Sequence, residues 1–300
     1  MIRVGTAPIS WGVSEMPDWG QVLPPALVLD EMAVTGYVGT ELGPWGYLPA
    51  NVDELRIELD RRSLTLIGGF CPVTLHVPDR LAEQRQSALE VARRLRDLGA
   101  EVLVLAEAGD TARLAAAGHV VPGRTPAFSA ADWQRFAAGA DAIAAEARDL
   151  GLVTAFHPHV GSYVETEAET EQLLQLTDAT VVGLCIDTGH LAYAGADPVA
   201  ITQRHRDRVR HVHLKDVSAT VLRQAQDAGW SFAQAVSRAI FVPLGDGMVD
   251  LPAVQAALIT ANYAGWVVVE QDSRLVTTEQ QKGLRTQAER SRQTLRALGL

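Results

Sequence analysis

Three hundred residues, 47% of them hydrophobic and 21% charged, suit a single large globular domain that needs no disulfide or structural metal to hold it. A formal charge of −10 argues against nucleic acid, whose phosphates need a basic face, and no apolar run nears the roughly 20 residues that span a bilayer. Cys71 and Cys185, the two cysteines, lie in apolar, strand-like runs and read as small buried side chains of a reducing compartment.

Met1-Ile2-Arg3-Val4-Gly5 enters a strand with no charged leader and no apolar signal core, which predicts a soluble, cytoplasmic protein. That first strand is predicted over 3–9, and helical spacing follows over 22–35. A second strand at 38–42 precedes a helix at 53–62, a third at 64–70 precedes one at 81–98, and a fourth covers 101–105. Residues 109–128, with Gly118, Pro122, Gly123 and Pro126, form the longest irregular stretch, placed where a barrel carries a catalytic-face loop or lid. The helix at 130–150 then leads to a fifth strand at 152–156, and 166–176 to a sixth at 182–186. Helix 198–207 leads to a seventh strand at 210–214. Helices at 231–239 and 251–261 precede the eighth strand, 265–270, and a last helix covers 277–298.

Most of these strands are nearly continuous apolar runs, as expected of parallel strands covered on both faces. Gly36, Gly99, Gly151 and Gly265 stand between a helix and the next strand, as C-cap glycines would. Eight strand–helix units without a break in composition predict a single-domain (β/α)₈ TIM barrel over 1–300, with an extra C-terminal helix. The rival, an open doubly wound sheet, wants a glycine fingerprint after its first strand; Ala7-Pro8-Ile9-Ser10-Trp11-Gly12 supplies none.

In a barrel the chemistry sits where the strands run out. There the sequence places Trp11, Glu41, Trp45, His76, Glu107, His157-Pro158-His159, Asp187-Thr188-Gly189-His190, His211-Val212-His213-Leu214-Lys215-Asp216 and Glu270-Gln271-Asp272. Each has a plain structural reading: helix caps, rim salt bridges, a Lys215–Asp216 pair, aromatic packing. Trp11, Glu41, His76 and Glu107 are candidate substrate contacts. Asp187, His213 and Glu270 end three adjacent staves and would share one small volume. Carboxylates and an imidazole gathered against dry walls are costly unless neutralised, and a divalent cation is the natural partner of such N/O ligands, Mn²⁺, Mg²⁺ or Co²⁺ as readily as Zn²⁺.

At these residues the chain resembles the xylose isomerase-like TIM-barrel superfamily of sugar isomerases, epimerases and dehydratases. The resemblance covers nearly the whole chain and is most specific at Asp187–His190, His211–Asp216 and Glu270. Residues 7–12, 36–43 and 157–162 look like inosose (2-keto-myo-inositol) dehydratases within it. The resemblance implies that Asp187, His213 and Glu270 bind the metal. Many relatives carry a Glu after the fifth strand, serving as ligand and acid/base group; this chain has His157, with His159 two residues on. Matching the pattern makes His157 the fourth ligand and turns His159 to the substrate.

The implied activity is metal-assisted elimination of water from a polyhydroxy ketone. His159, His190, Glu270 and Lys215 are the catalytic candidates, and His159, His190 and Lys215 also contact substrate. Competing expectations are a sugar isomerase or ketose 3-epimerase with the same metal, an endonuclease IV-like repair enzyme, and a non-catalytic sugar-binding barrel. The expected partner is a small polyhydroxylated molecule, with no nucleic acid and no membrane; a homo-oligomer is compatible with the fold.

Overall fold

The computed structural model describes residues 2–14, 16 and 18–300. In chain order its strands are β1 (Arg3–Thr6), β2 (Gly39–Thr40), β3 (Thr65–Leu66), β4 (Gly68–Val73), β5 (Val102–Glu107), β6 (Val153–Phe156), β7 (Val182–Asp187), β8 (Val209–Leu214), β9 (Asp216–Val217), β10 (Phe241–Val242) and β11 (Trp266–Val269). All but β9 and β10 form one parallel sheet in the order β3-β2-β1-β11-β8-β7-β6-β5-β4. The first and last strands pair from Arg3↔Trp266 to Thr6↔Val269. The open ends of that order belong to one stave, broken at Ile67. Ile67 N–H donates to Thr40 O at 2.9 Å, while Ile67 O accepts from Glu101 and Val102 N–H at 2.9 and 3.1 Å. The stave thus passes from β2 to β5 and closes the TIM barrel, the predicted fold. β5 and β7 are buried at every position, which explains their unbroken apolar runs.

The helices are α1 (Pro25–Thr35), α2 (Val52–Asp60), α3 (Leu81–Asp97), α4 (Thr111–Ala115), α5 (Ala130–Asp149), α6 (Glu167–Leu176), α7 (Thr188–Tyr193), α8 (Pro198–Arg204), α9 (Ala219–Ala228), α10 (Phe232–Ser237), α11 (Leu251–Thr260) and α12 (Thr278–Ala297). Among the described residues none is long and apolar enough to cross a membrane. In α5, the Ser129 hydroxyl accepts from Asp132 N–H at 3.2 Å and the Asp132 carboxylate accepts from Ser129 N–H at 3.0 Å, closing both ends of a capping box. The stripe Phe136, Ala140, Ile143, Ala144, Ala147 then faces the barrel. Each large apolar side chain so buried contributes about 1.5–3 kcal/mol.

Several boundaries differ from the sequence reading, for local reasons. The first helix begins at Pro25, not at 22, because proline at its first turn leaves no amide for an earlier turn to use. The helix expected over 231–239 keeps only Phe232–Ser237. Gly36, Gly99 and Gly151 adopt the left-handed conformation expected of caps, but Gly265 does not; Asn262, at φ 54°, takes that place after α11. The stretch 109–128 contains α4 and is clamped. The fully buried Arg113 donates through Nε to Ser162 O at 2.6 Å, through Nη1 to Pro126 O at 3.0 Å, and bidentately to Glu169 at 2.8 and 3.0 Å. Gly118 N–H adds a bond to Glu165 Oε1 at 2.8 Å. The expected lid is tied to the neighbouring loop.

Candidate active site

The C-terminal ends of β6, β7, β8 and β11 converge on one point. Asp187, the last residue of β7, lies in register with His213 of β8, and His213 with Val268 of β11, two residues before Glu270. Alternation along β8 turns His211 and His213 to one face, and Lys215 continues it beyond the strand. His213 Nδ1 lies 3.4 Å from Glu270 Oε2 and 3.6 Å from Asp187 Oδ2; it is buried and makes no hydrogen bond. One ligand atom each from Asp187, His213 and Glu270 falls within 4.8 Å of the others. His157, just after β6, places Nε2 at 3.2 Å from Asp187 Oδ2. An unpartnered buried nitrogen between two carboxylates, with a second imidazole beside them, is a donor set that fits a divalent metal.

Beneath this group, Glu41 Oε1 lies 2.7 Å from His211 Nε2 and 3.0 Å from His213 Nε2. Burial alone would raise the Glu41 carboxyl, but the His213 and His211 rings override it and hold it well below the usual carboxylate range. Since His213 Nε2–H is given to Glu41, its Nδ1 is the nitrogen left for a metal. Glu41 therefore lines the cavity and holds both histidines through one carboxylate oxygen.

Beside the cluster, Lys215 Nζ lies 2.7 Å from Asp272 Oδ1, 3.1 Å from Glu270 Oε2 and 3.5 Å from Asp187 Oδ2. Burial pulls this fully buried ammonium down, while Asp187, Asp272 and Glu270 hold it well above its ordinary pKa, so it stays charged. The chain carries nearly all its 26 basic residues as arginine, and Lys215 is one of two lysines. A compact ammonium with three donors suits three carboxylates better than a planar fork does. Its stem passes Gly189, where a Cβ would stand 2.6 Å from Lys215 Cβ and Cγ. Lys215 pairs with Asp272; Asp216 instead accepts the N–H groups of Gly245, Gly247 and Val249 and fixes the loop after β10.

Across the cavity, His159 and His190 lie with ring centroids 4.0 Å apart and ring planes tilted by 38°. His159 Nδ1 lies 2.8 Å from Val160 O, and Val160 N–H donates to His190 Nδ1 at 3.2 Å. Burial, reinforced by His157 and Lys215, pulls His159 down to about 3; burial, His159 and Lys215 lower His190 well below its ordinary value. The pocket enclosed by these groups has a volume of about 310 Å³. Its floor is charged, while Trp19, Phe70, Leu114, Phe232 and Val236 supply apolar walls.

The structure gathers His157, His159, Asp187, His190, His213, Lys215, Glu270, Glu41 and Glu107 around this cavity. Two expected substrate contacts are corrected. Trp11 is fully buried and spends its Nε1–H on Glu31 Oε2 at 2.7 Å, a core role forced by the turn Pro8–Trp11. His76 lies outside the cavity lining, packed on Phe128 and Tyr163, because β4 runs on to Val73 and carries it past the mouth. Trp45 is exposed, under the Arg94 guanidinium. Glu107 borders the cavity, yet its Oε2 holds the Gly109 and Tyr163 amides at 2.9 and 2.7 Å. Asp272 stood among the strand-end residues of the sequence without a role, and its spacing of two from Glu270 was the signal that pairs both with Lys215. Trp19 and Phe232 had none, since tertiary packing brings them in.

The model of the xylose isomerase-like TIM barrel family matches residues 29–298. An inosose dehydratase of Lacticaseibacillus casei is 33% identical over 270 residues, 90% of this chain and 89% of that protein. The rhizopine catabolism protein MocC of Rhizobium meliloti is 37% identical over 270 residues, 90% of this chain and 81% of its own length. The structure of an L-ribulose 3-epimerase superposes with a TM-score of 0.71 at 16% identity, covering all of this chain and 95% of that one. With its closed barrel and a family match across nine tenths of its length, this chain belongs to the xylose isomerase-like TIM barrel family.

Proposed function

We propose that this enzyme is a carbon–oxygen lyase that eliminates water from a polyhydroxylated cyclic ketone such as 2-keto-myo-inositol. The observation that carries the reading is the pairing of an N/O metal-ligand set with two neutral histidines in one small cavity. The identity of about one third with inosose dehydratases supports it. His157, Asp187, His213 and Glu270 would hold the cation, Mn²⁺ or Co²⁺ first, with Mg²⁺ or Zn²⁺ also suited. When bound, it supplies positive charge beside a ketone oxygen and eases loss of a proton from the adjacent carbon.

The chain's own groups do the rest. Glu270 takes that proton, the carbon–carbon double bond forms, and the neighbouring carbon–oxygen bond breaks. Lys215 gives the departing hydroxyl its proton, so that water leaves. The two groups stand 3.1 Å apart, so the captured proton returns directly to Lys215. Asp272 keeps the ammonium in place, and His159 and His190 hold substrate oxygens. The apolar walls exclude competing water. We assign the protein to the cytoplasm; a homo-oligomer fits the proposal equally.

The test is incubation of the metal-loaded enzyme with 2-keto-myo-inositol and a panel of ketoses. Dehydration yields a dione absorbing in the ultraviolet; ketose epimerisation without loss of water would replace this reading with the 3-epimerase one.

A further inference from the structure

We infer that the backbone of Val160 locks His159 and His190 in opposite tautomers, making a subsite that reads one substrate hydroxyl. The inference rests on the polyhydroxylated substrate proposed above, and it adds which group of that substrate is read and how.

Val160 O, 2.8 Å from His159 Nδ1, can only accept, so His159 Nδ1 carries a proton, and a neutral ring then has its lone pair on Nε2. Val160 N–H can only donate, and it meets His190 Nδ1 at 3.2 Å. An imidazolium has no lone pair to receive it, so His190 is neutral and its proton sits on Nε2. One residue's N–H and C=O therefore dictate two different imidazoles. Neither Nε2 is hydrogen-bonded within the described residues, and neither is sealed from the cavity that both rings line. With centroids 4.0 Å apart, the rings offer an acceptor and a donor side by side.

A hydroxyl fills such a pair, donating to His159 Nε2 and accepting from His190 Nε2–H. A ketone oxygen or an ether only accepts and leaves His159 unpaired. An ammonium only donates and leaves His190 unpaired. A hydrogen in place of the hydroxyl orphans both. The subsite thus selects a hydroxyl-bearing ring carbon, and the bulk of Phe232, 5.6 Å from the His190 ring centroid, limits what else can stand there.

The experiment has two arms on the Mg²⁺-loaded enzyme. The ¹⁵N spectra of histidine-labelled protein, assigned with His159→Gln and His190→Gln, should show His159 protonated at Nδ1 and His190 at Nε2. Calorimetry should compare inositol with its singly deoxygenated and singly aminated derivatives, none of which carries the ketone needed for turnover. At one ring position, loss of the hydroxyl should weaken binding about 10²-fold or more, because two nitrogens are left unpaired. His159→Leu and His190→Leu should erase that discrimination. Glutamine at either position can satisfy Val160 with one end of its amide and the ligand with the other, so it should keep most of it. Like tautomers, an imidazolium at either ring, or equal affinity for every deoxy derivative would overturn the inference. Absence of dehydration with 2-keto-myo-inositol would sink the lyase reading and leave the tautomer result standing.

Discussion

His213 Nε2 lies 3.0 Å from Glu41 Oε1, and the same oxygen serves His211 at 2.7 Å. A carboxylate behind a metal-binding histidine fixes its tautomer and sharpens its basicity. Replacing Glu41 by Gln should therefore weaken metal affinity about 10–100-fold, measured by chelator competition. Unchanged affinity would show that His213 does not depend on Glu41.

The proposed metal would compete with a proton for His213. Burial lowers this imidazole, but the Glu270 and Glu41 carboxylates hold it well above its ordinary value. A raised folded-state pKa adds stability below the unfolded value near 6.5, and that share is lost as pH rises through the folded one. Metal binding expels the proton, so the increase in melting temperature on adding metal should grow from pH 6 to pH 8. A constant increment would separate His213 from the metal.

Lys215 has room because position 189 lacks a side chain. Gly189→Ala pushes a methyl into the lysine stem and should cost about 1–3 kcal/mol of stability by overpacking. Turnover should fall about 10²–10⁴-fold as the ammonium leaves its place. Denaturant melts and steady-state kinetics on one preparation check both, and full turnover would remove Lys215 from the proton path.

Arg113 anchors the segment between β5 and α5 while fully buried. Arg113→Met leaves Glu169 and two carbonyls without their donor and should destabilise by about 3–5 kcal/mol. Limited proteolysis should find new early cuts between residues 116 and 126, where wild type resists. Cleavage of wild type there at the same rate would mean the clamp does not restrain the loop.

Trp11 tests the boundary between core and cavity. Trp11→Phe removes the donor to buried Glu31 and should cost about 1–3 kcal/mol. KM should stay constant, because the ring lies outside the cavity lining.

The barrel was legible because its staves are fully buried and its helices carry capping residues, so period and punctuation agreed. Strand ends also placed Asp187, His213 and Glu270 on adjacent staves, since a strand's direction is fixed once its burial is known. Side-chain direction beyond a strand end was not legible. Trp11 and His76 follow strands as His157 does, yet a tight turn sends one into the core and a longer strand carries the other past the mouth. The division of labour within His211-Val212-His213 also escaped the sequence, because it depends on Glu41, 170 residues away from His211.

That separation bears on how the protein matures. Among the described residues, every other ion-pair or hydrogen-bond partner of the proposed ligand side chains comes from residues 157–272, and the early part of the chain supplies Glu41. Glu41 follows β2, whose neighbour β1 must first meet β11 to complete the ring. During refolding, the half-finished chain can assemble ligands but not the carboxylate that orients them. Tight cation binding should thus arrive last, as a report that the two ends of the polypeptide have met.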